Sequence, residues 1–426
     1  MPARIARLPR PAALIPQAVL CLAATTVYLL SYRHGIGIGP DHIDLDVYRI
    51  GARAWLNGRN LYGHLPPTPS GLRLGFTYPP IAAVLLAALA VIPAAVAGTV
   101  ITLVTVALVA AVLWLFLGRL AGPGATRARR LAQAGWLLPA VLFLEPVRDT
   151  LGFGQVNVIL MALVAFDALV VAPRWPRGAL TGLAAAVKLT PAAFVLFFLL
   201  RRDYRAAGTA ALSFAVATAA GFALAGPDSV RYWTHAVFQV RRIGSLDYAF
   251  NQSLQAVLAR AGLNPQHPAG LAAWLVLSAI VVVVTVLAMR RALAAHRDEL
   301  ALCLNALAAL LISPISWSHH WVWCVPLLLT LAVTGIINSS RLTLAIAGGG
   351  LVLFAVAPQR FLPRTHNLEL RWALWEQAAG STYVLFAALV LILAACGLLT
   401  REPSAPSRGD LGDPQRDPAV AAVLLH

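Results

Sequence analysis

Acidic residues are scarce in this chain, so the place where they gather is informative. Only 17 of the 426 residues are Asp or Glu, yet Asp41, Asp44 and Asp46 fall within six positions. A carboxylate within hydrogen-bond reach of a hydroxyl can take its proton as a general base. The same residues also suit the start of a helix, where an Asp accepts from free backbone N–H groups and meets the positive end of the dipole. Asp44 and Asp46 resemble an acidic metal-binding pair, but two acids alone are a weak metal signal.

His319 and His320 are adjacent and surrounded by Trp317, Trp321 and Trp323. An aromatic belt at a membrane interface accounts for the tryptophans. It does not account for two histidines, since ionisable groups at such depth usually line a pathway or a site. Lys188 stands between two short apolar pieces, where it either snorkels to the headgroups or pairs with a lipid phosphate. Glu145, Arg148 and Asp149 form a local ion cluster or line the same cavity. Gln155 and Asn157 read as helix caps or as hydroxyl binders, and Tyr78 as an interface anchor or a site residue. Asn251-Gln-Ser253 matches the N-glycosylation pattern, a three-residue match of low specificity.

The elements that must carry these residues are membrane helices. The chain is 59% hydrophobic and 12% charged, where soluble domains carry roughly 25% charged residues. Apolar stretches of the ~20 residues needed to span a bilayer recur at 11–31, 77–118, 206–227, 268–289, 300–340, 342–359 and 377–400. Shorter pieces lie at 131–144, 150–166, 178–187 and 189–200. The pattern predicts an all-α polytopic membrane protein with roughly 10–12 transmembrane helices, some short or broken. Residues 1–400 form the membrane domain, with an outer loop at 34–76. The Pro-, Asp- and Arg-rich residues 401–426 read as a disordered tail. No internal repeat is visible.

Lys and Arg exceed Asp and Glu by 33 − 17 = 16. The basic residues are scattered between apolar runs rather than gathered in one patch, which fits the positive-inside bias and not nucleic-acid binding. Arg4, Arg7 and Arg10, then Arg201–Arg205, Arg290–Arg297 and Arg401, mark cytoplasmic ends. Residues 34–76, 226–260, 313–320 and 361–376 then face outward. Residues 178–200 read as two half-helices that dip in and return, with Lys188 at the tip. Residues 77–118 are ambiguous: two spans there would put 119–130 on the wrong side. Cys21, Cys303, Cys324 and Cys396 read as small hydrophobes in the bilayer.

Six segments together resemble a known family. They are Asp44-Leu-Asp-Val-Tyr48, Phe76-Thr-Tyr-Pro-Pro80, Gly154-Gln-Val-Asn157, Lys188-Leu-Thr-Pro191, Asn251-Gln-Ser253 and Ser313-Pro-Ile-Ser-Trp-Ser-His-His-Trp321. Each is weak alone. In this order, over roughly residues 40–330, they resemble the actinobacterial polyprenol-phosphate-mannose-dependent α-(1→2)-mannosyltransferases of glycosyltransferase family 87, which have the C-type membrane glycosyltransferase fold. The last third adds only hydropathy.

The resemblance implies a plasma-membrane enzyme of cell-envelope lipoglycan synthesis with an extracytoplasmic site. It implies a polyprenyl-phosphate mannose donor and a mannosylated lipid acceptor, such as a phosphatidylinositol mannoside. The family's catalytic acid carries over to Asp44 and its histidine pair to His319 and His320. Asp46, Tyr48, Arg49, Tyr78, Arg148, Gln155, Asn157, Lys188, Asn251, Gln252 and Trp317 are expected to bind substrate. The donor is β-linked and the product α, which implies one inverting displacement, with base and leaving group on opposite sides of the sugar. Asp44 would take the proton of a mannose 2-hydroxyl. Lys188 and one or both histidines would stabilise the leaving phosphate. No cofactor or divalent metal is expected to be required. A transporter of lipid-linked sugar shares the hydropathy but needs no acid in the first outer loop. A transferase of another sugar, such as arabinose, also fits these residues. Oligomeric state is not legible.

Overall fold

The computed structural model describes residues 42–120, 126–364 and 366–400. The expected first span at 11–31, Arg4 to Arg10, Cys21, Asp41 and the tail from residue 401 lie outside the described residues. Among those described, regular structure is helical, and the only extended pairing is a single antiparallel bridge between Asn251 and Trp317.

Five helices are long and apolar enough to cross a membrane: Ala94–Leu120, Tyr204–Leu224, Pro268–Ala294, Ser318–Ile337 and Arg341–Phe361. Two bent pairs, Glu145–Phe153 with Asn157–Leu169 and Leu374–Gly380 with Thr382–Ala395, make up to seven among the described residues if each pair is one span. The remaining apolar pieces form short helices, including Asp298–Ile312 and Ala179–Val187. Burial sorts the spans. Only 17% of the apolar window is buried in Tyr204–Leu224 and in Pro268–Ala294, against 67% in Ser318–Ile337. The first two therefore present their side chains to lipid, and the third runs through the middle of the bundle. Cys303 and Cys324 are buried in the core, whereas Cys396 is exposed.

The ambiguous stretch 77–118 contains one long span. Pro80 opens the short helix Pro80–Leu85, where a proline fits the first turn. The chain turns extended at Ile92, the residue before Pro93, and Ala94–Leu120 follows. Arg49 Nη2 donates to Ile92 O at 2.9 Å and Arg53 Nε to Ala90 O at 3.1 Å. These bonds satisfy carbonyls that the short helices leave unpaired.

The half-helices around Lys188 take the expected form. Ala179–Val187 ends at Lys188, whose backbone is extended, and a 3-10 turn at Thr190–Phe194 leads into Val195–Leu200. Gly178 packs on Ala206, and Gly182 on Ala210 so closely that a Cβ there would lie 2.2 Å from Ala210 O. Ala179–Val187 and Tyr204–Leu224 thus run parallel, and the chain between them must go in and come back.

The bundle has two chemically different ends. At one, Asp298 bridges Arg119 at 3.4 Å and Arg201 at 3.2 Å, which puts the ends of three elements together. At the other lie the amphipathic helix Ile43–Leu56, the short helices, and the loops 236–253, 313–317 and 358–373. Trp55 Nε1 bonds Leu224 O at 2.9 Å and holds the amphipathic helix at that end.

Candidate active site

At the loop-rich end a cavity of about 1190 Å³ opens between these elements. Asp44, Tyr78, Arg148, Gln155, Lys188, Trp317, His319 and His320 all line it. Five separate parts of the sequence thus meet at one place. Thr102, Val106, Pro139, Leu142 and Phe143 give it an apolar flank along Ala94–Leu120 and Arg127–Leu142.

The bend at Gly154 does much of the positioning. Between Glu145–Phe153 and Asn157–Leu169 the chain bends by 119°. Gly154 closes the first helix at φ 66°, a left-handed conformation that glycine adopts without a Cβ penalty. A Cβ there would also lie 2.8 Å from Leu45 Cβ. The bend therefore lets Ile43–Leu56 approach and sets Gln155 beside its polar face.

Asp44 and Tyr48 are one turn apart on that helix and share a face. Tyr48 donates to Gln155 Oε1 at 2.6 Å, and its hydroxyl is 3.0 Å from that of Tyr78. Burial pushes the Asp44 carboxyl up to about 6, opposed by a hydrogen bond with Gln155 and the charge of Lys188. Asp44 keeps part of its surface open to the cavity. A carboxyl in that range is mostly ionised near neutral pH and can still take a proton.

Lys188 stands across this network. Its Nζ donates to Asn157 Oδ1 at 3.0 Å, lies 3.2 Å from His320 Nε2, and sits 5.5 Å from the centre of the Tyr78 ring. The ammonium has only protons to offer, so His320 Nε2 is the acceptor and the ring proton belongs on Nδ1. The backbone carbonyl of His319 accepts from Thr150 Oγ1 at 2.8 Å and Asn157 Nδ2 at 2.9 Å. The two imidazoles meet edge to face at 4.8 Å, and Phe153 packs against His319 at 5.0 Å.

Several expected binding residues are placed elsewhere. Asp46 follows Asp44 by two positions, about 200° around a helix, and does not line the cavity. The two carboxylates diverge and cannot chelate one ion together. Asp46 faces Arg49 and Arg53, whose charges oppose the upward push of burial on its carboxyl. Arg49 bonds the Ile92 carbonyl and is not a cavity residue. Tyr48 and Asn157 do not line the cavity; they are hydrogen-bonded to Gln155 and Lys188, which do.

Asn251 and Gln252 are fully buried. Asn251 donates to Leu246 O and Pro314 O and accepts from Ser316 N at 3.0 Å. Gln252 donates to Ala249 O and Gly380 O. The Asn251 side chain braces the 313–317 loop, whereas that of Gln252 ties Ala249 to Gly380 and only its backbone N–H reaches Ser316 O; the burial of Asn251 closes the apparent glycosylation pattern. Glu145 and Asp149 are held by Arg360, and Tyr383 donates to Glu145 at 2.9 Å.

The sequence reading missed Arg242, Phe250, Arg360 and Arg364, all of which line the cavity. A signal was available. These arginines sit at the end that the positive-inside bias should leave poor in them, so each needs another reason to be there.

A family model described as glycosyltransferase family 87 matches residues 76–314. A protein of Mycobacterium tuberculosis described as a polyprenol-phosphate-mannose-dependent alpha-(1-2)-phosphatidylinositol mannoside mannosyltransferase is 42% identical over 375 residues, covering 86% of this chain and 87% of the relative. Its counterpart in Mycolicibacterium smegmatis, with the same description, is 41% identical over 375 residues, covering 84% of each. A second M. smegmatis protein, described as the corresponding phosphatidylinositol pentamannoside mannosyltransferase, is 30% identical over 385 residues, covering 90% of each. No solved structure matches the chain.

Proposed function

The chain belongs to glycosyltransferase family 87, and from that premise we propose that it moves mannose from a polyprenyl-phosphate donor to a phosphatidylinositol mannoside, forming an α-(1→2) bond. It is a membrane glycosyltransferase. The observation that carries the finer reading is the convergence of Asp44, Gln155, Lys188 and His320 on one cavity with an apolar flank.

In this proposal the donor's phosphate lies against Lys188 and His320, and its polyprenyl chain leaves along the flank formed by Val106, Leu142 and Phe143. Asp44, oriented by Gln155, takes the proton of the acceptor 2-hydroxyl as its oxygen attacks C1 of the mannose. The C1–O bond to phosphate breaks, and polyprenyl phosphate leaves with the bonding pair. Donors fixed in place before the reaction stabilise the charge that grows on that oxygen, and they act more strongly away from bulk water. Lys188 and His320 supply this directly, so transfer is expected without a divalent metal. The arginines gathered round Asp298 at the opposite end fit a cytoplasmic face. This supports an extracytoplasmic site in the plasma membrane.

The test uses purified protein in nanodiscs, radiolabelled polyprenyl-phosphate mannose, a phosphatidylinositol mannoside and excess EDTA. Wild type should transfer label, and Asp44→Asn at matched folding should not. Equal transfer by both would remove Asp44 from the mechanism. No transfer by either would reopen another sugar or a transport role, to be followed by a liposome flipping assay.

A further inference from the structure

The cavity holds a second group of cations that the transfer step above does not use. Arg360 and Arg364 both lie against the Phe250 ring, their guanidinium carbons 5.2 and 5.3 Å from its centre. Arg360 pairs with Asp149 and, at 3.5 Å, with Glu145. Arg148 Nε is 3.8 Å from Asp149, with 42% of its side chain exposed. Arg364 makes no ion pair among the described residues and bonds the carbonyl of Arg360. Three guanidiniums therefore face two carboxylates, which leaves a surplus positive charge with both acids ionised. Cations beside aromatic rings in a partly dry cavity are costly unless an anion meets them.

The cluster is close to the chemistry but separate from it. Asp149 and Phe153 are one turn apart on the Glu145–Phe153 helix, about 6 Å along its axis, and Phe153 packs on His319. A reaction between two phosphate-bearing lipids must hold two like-charged groups in one cavity. A single cationic centre cannot serve both without bringing them into repulsive contact.

We propose that Arg148, Arg360 and Arg364 form a second anion subsite that binds the phosphodiester of the lipid acceptor, while Lys188 and His320 take the phosphate of the donor. This rests on the mannosyltransferase reading. Guanidinium forks match phosphate oxygens in pairs, which suits arginine to the role. The subsite also gives the residues beyond 330 a task, because Arg360 and Arg364 come from that part of the chain.

The variants are Arg364→Gln, the double variant R148Q/R364Q, and Arg360→Lys, which keeps a cation against the buried Glu145 and Asp149. Initial rates are measured with a short-chain phosphatidylinositol mannoside and with a neutral alkyl α-mannoside. Loss of a charge-assisted bond should raise KM for the phosphate-bearing acceptor about tenfold. KM for the neutral mannoside and for the donor should stay put. An equal rise for both acceptors overturns the proposal. So does a rise confined to the donor, which would assign the arginines to the donor phosphate. Inorganic phosphate competing as well as the lipid would make the cluster a general anion site and overturn the lipid assignment. Direct binding in nanodiscs decides the matter even if wild type transfers no mannose, an outcome that counts against the mannosyltransferase reading alone. Wild type should bind the phosphatidylinositol mannoside about tenfold more tightly than the alkyl mannoside, and R148Q/R364Q should lose that preference. No preference in wild type sinks the proposal.

Discussion

Lys188 Nζ stands 3.2 Å from Nε2 of His320 and 3.0 Å from Oδ1 of Asn157. Two acceptors on two different helical elements fix the ammonium where the half-helices break. A fixed donor is worth more to a transition state than a mobile one, because it needs no reorganisation as charge develops.

Replacing Lys188 with Met removes that donor and leaves His320 Nε2 without a partner. The expected result is a fall in kcat of about 10²–10³, the size of losing one preorganised donor. Donor KM should change less, since the ground-state phosphate carries less charge than the departing one. Single-turnover rates with radiolabelled donor check this. A change confined to KM would make Lys188 a binding residue only.

The Asp44 carboxyl, raised to about 6 by burial, should leave its mark on pH dependence. A base must be ionised to act, so kcat/KM rises with pH through about 6 and levels off above it. Asp44→Asn should remove the activity and the limb together. The same raised value means that the folded state holds this proton more tightly than the unfolded chain. Stability from this group is thus greatest at low pH and is lost as pH rises from about 4 through about 6. At pH 7 Asp44→Asn should therefore unfold at a higher temperature than wild type, by up to about 3 kcal/mol in stability. Thermal unfolding followed at pH 5 and pH 7 tests the sign, with the gap larger at pH 7.

Much of this site was legible in the sequence because its background is apolar. In a chain with 12% charged residues, Asp44, Lys188 and the two histidines stand out, and a charge at membrane depth needs a reason to be there. What sequence could not supply was phase. Asp46 and Arg49 share a segment with Asp44, but helical geometry turns them to other faces, and only the packing against Ile92 shows which face is inward. Asn251 and Gln252 were conspicuous as polar residues, but the first braces the loop at 313–317 and the second ties Ala249 to Gly380. Arg360 and Arg364 were hidden because their role depends on where the helix Arg341–Val356 delivers the chain, a fact of three dimensions.

Asn251 gives a test of this division between bracing and chemistry. Its side chain makes three hydrogen bonds that hold the segments at 246 and 314–316 together. Asn251→Ala leaves a buried N–H and two carbonyls short of partners, for a loss of about 3 kcal/mol. Thermal unfolding in detergent should show the loss, while folded protein at low temperature keeps its donor KM. A raised donor KM with normal stability would mean that Asn251 touches substrate after all.

Gly154 is the position where backbone conformation and packing combine. At φ 66° an alanine pays the left-handed penalty of roughly 1–2 kcal/mol. Its Cβ would also start 2.8 Å from Leu45 Cβ, so Ile43–Leu56 must shift away from the bend. That helix carries Asp44, while Gln155 stays with the bend, and the contact between them should loosen. Gly154→Ala is expected to lower stability by about 2–3 kcal/mol and kcat by at least tenfold in the protein that remains folded, since small misplacements of reacting groups are costly. Leu45→Gly in the same chain removes the clashing Cβ but not the backbone strain at 154. It should restore part of kcat and little of the stability. Recovery of neither would mean that the bend itself, and not its contact with the first helix, sets the geometry of the site.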